Sequence, residues 1–406
     1  MFTVDQALAS IESHVQPGPT ESVPLAEALG RVLAQSIDSD IDSPPFDKAL
    51  MDGFAVRADD LADGTARLTV VEEVTAGQVA SKTVASGQAI QIMTGAPMPD
   101  GADAVVRVED TQTKNDGDQV VVSIDTRPVT AGQDMIRQAT SMRRGDTVMP
   151  AGRQLRPQEL GLLAELGQHS LTVHRRVRVG VLATGDELVA IDQQPGAGQI
   201  RNSNETMLAA QVRACGGEAV ELGIARDTPE DLAQHITAGL DCDVLLLSGG
   251  VSAGRLDLVP AQLEAAGVAE VFHKVKVKPG KPVWFGTSGH AIVFGLPGNP
   301  VSSMVCFELF VRTALRRLAG VAPAQPTPSA ARLTVDFDFR GDRPTYFPSQ
   351  LDDHHPDGPR VAPVDWHGSS DLRSTADANA MIHFPAGDRA YQADQWIEVF
   401  PWAGRC

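Results

Sequence analysis

Between residues 177 and 320 apolar runs alternate with amphipathic stretches, whereas 66–126 and the chain beyond 327 carry short alternating runs punctuated by Gly, Asp and Pro. The first pattern predicts a mostly parallel sheet covered by helices on both faces, and the second predicts small β domains. With helical spacing at the N-terminus, the expected class is a multidomain α/β protein. Its expected parts are 1–45 plus 140–175 as a discontinuous N-terminal mixed domain and 46–139 as an inserted β domain. The rest divides into 176–320 as the central α/β domain and 327–406 as a C-terminal β domain.

Local pattern gives each element. Val4, Ala7, Leu8 and Ile11 predict a helix over 3–15, and Leu25, Leu29, Val32 and Leu33 predict another over 24–35. Ser43-Pro44-Pro45-Phe46 breaks that periodicity. Strands are expected at Leu68–Val74, Ala89–Met93, Ala104–Val108 and Val120–Ile124, with a helix at 157–166. In the centre, strands at Val177–Ala183, Ala219–Ile224 and Val244–Leu247 alternate with helices at Glu205–Cys215 and Pro229–Leu240. A helix at Leu258–Ala266, a lysine-bearing strand at 272–278, the strand Ala291–Phe294 and a long helix from Ser302 to Leu318 follow. Residues 320–328 have linker composition, and strand-like runs recur at Arg332–Phe339, Ala380–Phe384 and Trp396–Phe400.

Composition narrows the function. The 406 residues, 42% hydrophobic and 21% charged, are those of a soluble globular protein with ample core. No apolar run is long enough to span a bilayer and the N-terminus lacks a signal-peptide pattern, so a cytoplasmic protein with no membrane partner is expected. A net charge of −18 argues against nucleic acid, whose recognition needs a cationic surface. Cys215, Cys242, Cys306 and Cys406 show no metal or redox spacing and are expected to be free thiols.

Against that acidity, four of the seven lysines lie within eight residues: Lys274, Lys276, Lys278 and Lys281. On a strand the first three share a face. Their mutual repulsion then calls for an anion, either acidic side chains or a ligand. The other reading is a sheet edge guarded by lysine against aggregation. Ser248-Gly249-Gly250-Val251-Ser252, at a strand end, would let backbone amides approach a phosphate, although glycines also serve ordinary turns. In Pro297-Gly298-Asn299-Pro300 two prolines fix the chain before a helix, which suits either a rigid cap at Asn299 or a binding loop. Ligands of parallel sheets bind at the C-terminal strand ends. Asp186, Glu187, Asp227 and Asp257 are expected there, as hard oxygen donors suited to Mg²⁺ or as simple caps.

Several further motifs accompany these loops. They are Met51-Asp52-Gly53-Phe54-Ala55, Ile92 to Pro99, Thr184-Gly185-Asp186-Glu187-Leu188, Ile200-Arg201-Asn202-Ser203-Asn204 and Lys278-Pro279-Gly280-Lys281-Pro282. In order and spacing, over essentially the full length, the set resembles the molybdopterin molybdenumtransferase (MoeA) family, to which the gephyrin E domain is related. The resemblance implies a central domain of the molybdopterin-binding type. It implies an enzyme that inserts molybdenum from molybdate into adenylylated molybdopterin with Mg²⁺, releases AMP and forms the molybdenum cofactor. By position it transfers catalytic roles to Asp52, Thr94, Glu187, Asp227, Asp257, Lys274 and Lys278, with Glu187, Asp227 and Asp257 as the metal set. Substrate contacts fall to Ser248, Gly249, Gly250, Ser252, Lys281, Pro297, Gly298, Asn299 and Pro300, with Arg137 and Ser369. A homodimer sharing its site between subunits is implied, as are a molybdopterin adenylyltransferase and molybdoenzymes as candidate partners.

Two departures stand out: Arg255-Leu256 replace the acidic residues usual before the aspartate, and the C-terminal domain matches least. His354-His355, among acidic residues, reads as a solvated loop rather than a metal site. The competing classes are an adenylyltransferase-like nucleotide enzyme and a non-catalytic gephyrin-like scaffold.

Overall fold

The structure, a computed structural model, describes residues 1–251 and 258–403. The chain forms two compact units: Met1–Gln35, Gly152–Gly161 and the chain from His169 onward make one, and Ser36–Ala151 with Leu162–Gln168 make the other.

In the first unit, Thr3 caps the helix α1 (Val4–His14) through a capping box with Gln6, and Val4, Ala7, Leu8 and Ile11 turn inward. The core sheet then builds from β1 (Arg178–Thr184), α2 (Ser203–Ala214), β2 (Glu218–Ala225), α3 (Pro229–Gly239) and β3 (Val244–Ser248). It continues through α4 (Val259–Ala265), β4 (Ala269–His273), β5 (Trp284–Ser288) and β6 (Ala291–Leu296). Six strands lie in the order β2-β1-β3-β6-β5-β4. The first four run parallel, while β5 and β4 are antiparallel to their neighbours, so the sheet is mixed at one side.

Burial on both faces explains the unbroken Val-Leu-Leu-Leu of β3. Val244 and Leu246 pack with α1, α2 and the last helices, while Leu245 and Leu247 pack with α3 and α4. Those last helices are α5 (Pro300–Cys306) and α6 (Arg312–Leu318), joined by a π-helical turn at Phe307–Val311 where one long helix was expected. Glu308 on that turn is buried, and it accepts from Arg312, Gln211 and the Ala403 amide.

The same unit ends in a small barrel of β7 (Ser329–Leu333), β8 (Thr345–Asp352), β9 (Arg360–Pro363), β10 (Ala380–Phe384) and β11 (Trp396–Pro401). Closure pairs β7 with both β9 and β11 and leaves no open edge.

Two expectations fail locally. No helix forms over 24–35: Thr20–Pro24 is a strand paired with Ser170–His174, followed by a single turn at Leu25–Glu27. Gly30, at φ 76°, ends that turn, and Val32 and Leu33 bridge Gln154 and Val173 in extended conformation. Nor does a strand carry the lysines. β4 stops at His273, and Lys274 takes φ 72°. The stretch that follows is held by scattered backbone bonds, Lys276 N–H to Phe2 at 2.8 Å and Lys278 N–H to Pro344 at 2.9 Å. Alternation survives without a ladder: Val275 and Val277 are buried, and Lys276 and Lys278 are exposed.

The second unit is built on a six-stranded sheet, in which Gly53–Val56 lies between Ala104–Arg107 and Gln88–Ile92. Phe54, Val56 and Val106 fill one face, and Ala55, Ile90 and Ile92 the other. Gly53 is fixed by space: a Cβ there would stand 1.9 Å from the Val106 carbonyl oxygen. Gly53→Ala is therefore expected to destabilise the protein by about 3 kcal/mol through overpacking. A urea midpoint unchanged from wild type would contradict this.

Candidate functional site

Register decides where the chemistry collects. In the core sheet Ala183 faces Ser248, and Ser248 faces Leu296. The antiparallel strands continue the row, with Gly295 opposite Trp284 and Trp284 opposite His273. The C-terminal ends of β1, β3, β6 and β4 thus share one edge with the start of β5. Beyond that edge lie Gly185–Leu188, Arg226-Asp227, Gly249–Val251, Pro297–Pro300 and the lysine segment Lys274–Pro282.

Two adjoining clefts open there. One, about 340 Å³, is lined by Glu187, Asp227, Gly249, Gly250, Pro282 and Pro297 among others. The other, about 600 Å³, is lined by residues including Leu188, Asn202, Asn204, Ser248, Pro300 and Ser370. Thr184, Glu187, Gly298 and Asn299 border both. The glycine turn is what lets backbone form this wall. Gly249 (φ 107°) and Gly250 (φ 63°) lie where side chains are disfavoured, and a Cβ on Gly249 would be 2.5 Å from the Thr184 carbonyl oxygen.

Side chains tie the loops together. Asn299 occupies the cap position of α5 without capping it; its amide instead donates to Ser369 Oγ at 2.9 Å. The Val301 amide donates to the Ser369 carbonyl at 3.0 Å, so the chain near 369 is bound to this turn twice. The Ser303 hydroxyl donates to the Pro297 carbonyl. Lys274 is half-buried, whereas Lys278 and Lys281 are exposed, and Lys281 accepts at its carbonyl from Val275 N–H at 3.0 Å. Asp342 is held below the usual carboxylate range chiefly by Arg343 and, more weakly, by the charge of Lys278.

Glu187 and Asp227 share the smaller cleft, and two carboxylates in a polar recess fit a hard cation such as Mg²⁺. Among the described residues no cluster of three metal-capable side chains occurs. The third expected carboxylate, Asp257, lies outside the described residues, as do Ser252 and Arg255-Leu256.

Asp52, Thr94 and Arg137 belong to the second unit. The Thr94 amide and hydroxyl donate to one Asp52 oxygen at 2.7 and 2.8 Å, and they hold that carboxyl below its usual range. Asp52 is therefore an anion at neutral pH. Arg137 pairs with Asp47 at 2.6 Å.

Three family descriptions match in succession: "MoeA N-terminal region (domain I and II)" over residues 2–167, "Probable molybdopterin binding domain" over 180–317, and "MoeA C-terminal region (domain IV)" over 330–402. The molybdopterin molybdenumtransferase of Bacillus subtilis is 35% identical over 403 residues, 98% of this chain and 93% of the relative. The chain belongs to the MoeA family. The Haemophilus influenzae enzyme of the same name is 37% identical across 79% of this chain and 78% of its own. Among solved structures, the molybdopterin biosynthesis MoeA protein of Pyrococcus horikoshii superposes with a TM-score of 0.84 at 31% identity, over 99% of this chain and 100% of that one.

Within this MoeA chain two residues at the clefts had no role assigned from sequence. The Asn204 amide donates to Ser248 Oγ at 2.7 Å and to the Gly298 carbonyl at 2.8 Å, joining the glycine turn to the proline turn. Thr184 is buried, and its hydroxyl has no partner among the described residues, at the border of both clefts. Both sit inside motifs that flagged their neighbours, but a polar residue one position from a recognised one carries no distinguishing signal. Asn204→Ala and the donor-less isostere Asn204→Asp should each raise amide hydrogen exchange at Gly249 and Gly298 about tenfold. Equal protection in wild type and both variants would show that the bridge does not hold these loops.

Proposed function

We propose that this chain inserts molybdenum from molybdate into adenylylated molybdopterin, releasing AMP and forming the molybdenum cofactor. The observation that carries the reading is the single sheet edge at which a glycine-opened backbone, Glu187 with Asp227, and the lysine segment come together. Relatives named molybdopterin molybdenumtransferase across nearly the whole length support it.

The chemistry asks for charge handling at two anions. Lys274 and Lys278 would offset the negative charge of molybdate and of the phosphates, as fixed cations do for oxyanions. Glu187 and Asp227, with Asp257, would hold Mg²⁺, which when bound neutralises phosphate charge. Water oxygen adds to the pterin-side phosphorus and gives up a proton to solvent, the bond from that phosphorus to the bridging oxygen breaks, and AMP departs with the bridging oxygen. The amides of Gly249 and Gly250 and the spare Thr184 hydroxyl are suited to hold the phosphate during this step. Metal ligation falls to the dithiolene sulfurs of the substrate. The chain's described thiols suit that division, because burial pushes Cys215 up to about 12 and raises Cys242 and Cys306 as well.

The partner expectations enter here as proposals. The working unit is a homodimer with a shared site, in which Asp52 and Thr94 of one copy serve the lysines of the other. A cytoplasmic setting, with an adenylyltransferase upstream and molybdoenzymes downstream, accords with the substrate chemistry.

Molybdate-dependent AMP release at fixed Mg²⁺ is the expected behaviour of the wild-type chain. Lys278→Ala should slow it about a hundredfold, by loss of one positioned cation, with little change in thermal midpoint because the side chain is exposed. Tight binding with no AMP release in the wild type would favour the scaffold reading, and pyrophosphate release from ATP the adenylyltransferase reading. For the shared site, co-folding Asp52→Ala with Lys278→Ala chains should restore about a quarter of wild-type turnover, since half the dimers would then hold one intact site. No recovery on mixing would place both residues in one subunit's site.

A further inference from the structure

A separate cleft, of about 430 Å³, lies at the opposite edge of the core sheet, where β1 and β2 begin and α2 and α6 end. Arg31, Arg175, Arg176, Arg213, Arg312 and Arg316 all line it, and no carboxylate does so among the described residues. That is a dense gathering of cations for a chain of net charge −18.

Four of these guanidiniums have carboxylate partners set outside the cleft. Arg31 pairs with Glu21, Arg175 with Asp243 at 2.6 Å, Arg213 with Glu221 at 2.7 Å and Arg312 with Glu308 at 3.1 Å. Arg176 and Arg316 pair with no carboxylate among the described residues. Arg316 gives one bond to the Pro323 carbonyl at 3.0 Å, yet its Nε is buried without an acceptor among the described residues. A buried donor of that kind costs stability unless something accepts from it. Burial, and then the nearby charge of Arg312, hold the Arg316 guanidinium below its usual range.

Helix ends explain part of this arrangement. The C-termini of α2 and α6 are electronegative, and Arg213 and Arg316 answer them. Arg31, Arg175 and Arg176 come from no helix, and Arg176 with Arg316 leaves about two positive charges without a carboxylate partner among the described residues. A recess of one sign with low-dielectric walls concentrates anions, and guanidiniums grip phosphate oxygens in paired hydrogen bonds.

We propose that this cleft is a binding site for a small phosphate-bearing anion, separate from the clefts at the other edge of the sheet. Arg176 and Arg316 are its binding residues, and the apolar wall of Val177 and Leu315 leaves room for an uncharged part of the ligand.

Inorganic pyrophosphate, titrated calorimetrically into the full chain without Mg²⁺, tests this. The Lys278→Ala chain is titrated beside the wild type, so that binding at the lysine segment is told apart. Binding in wild type that persists in Lys278→Ala and weakens about tenfold in Arg176→Ala and in Arg316→Gln is the expected result. Arg176 is exposed, so its variant should keep the wild-type thermal transition even if loss of Arg316 disturbs packing. Absence of binding at millimolar pyrophosphate, loss of binding in Lys278→Ala, or full affinity in Arg176→Ala would each overturn the proposal.

Discussion

The parallel register of β1, β3 and β6 is the constraint from which the site follows. Once Ala183, Ser248 and Leu296 stand in one row, the turns after those strands must emerge side by side. The antiparallel β5 and β4 extend the row rather than breaking it, because their reversal brings the start of β5 and the end of β4 to the same edge. The lysine segment, which leaves β4, is thereby delivered beside the glycine and proline turns. A one-residue slip of β3 would exchange Leu246 with its neighbours between the two cores, so burial on both faces enforces the register that function needs.

Around that row a few polar contacts do most of the fixing. Asn204 spans two turns, Asn299 reaches the chain at Ser369, and Ser303 holds the Pro297 carbonyl. Asn204 and Ser303 sit on helices and Asn299 at a helix start, and from these rigid supports each restrains a loop. The family signatures thus mix two kinds of residue. Gly53 and Gly249 are fixed by space that a Cβ would invade, whereas Glu187 and Asp227 line the smaller cleft and Lys278 is exposed, where packing does not dictate residue type.

Much of this was legible in sequence where one physical cause dominates. The Val-Leu-Leu-Leu run read as a buried strand, the alternating helices as its covers, and Gly-Gly after a strand as an open turn. Failures came where a non-local partner decides. Leu25, Leu29, Val32 and Leu33 have helical spacing, yet pairing of Thr20–Pro24 with Ser170–His174 and the turn at Gly30 take that segment into extended structure. The lysines alternate as a strand would, but the positive φ of Lys274 interrupts the ladder and spares them a close-packed row. Asn204 and Thr184 were invisible as individuals, because the role of Asn204 depends on residues tens of positions away and the Thr184 hydroxyl has no partner among the described residues. The arginine cleft draws on six separate stretches of chain, which no local pattern unites.

Central to the proposed function is that the adenylylated pterin sits at the C-terminal sheet edge. Its most direct test is a crystal structure of the chain with adenylylated molybdopterin in the absence of molybdate. Phosphates lying against Gly249, Gly250 and Thr184, with the pterin or adenosine in the cleft beside Asn204, are the predicted result. Ligand seated elsewhere, with the Thr184 hydroxyl still unpartnered, would contradict it.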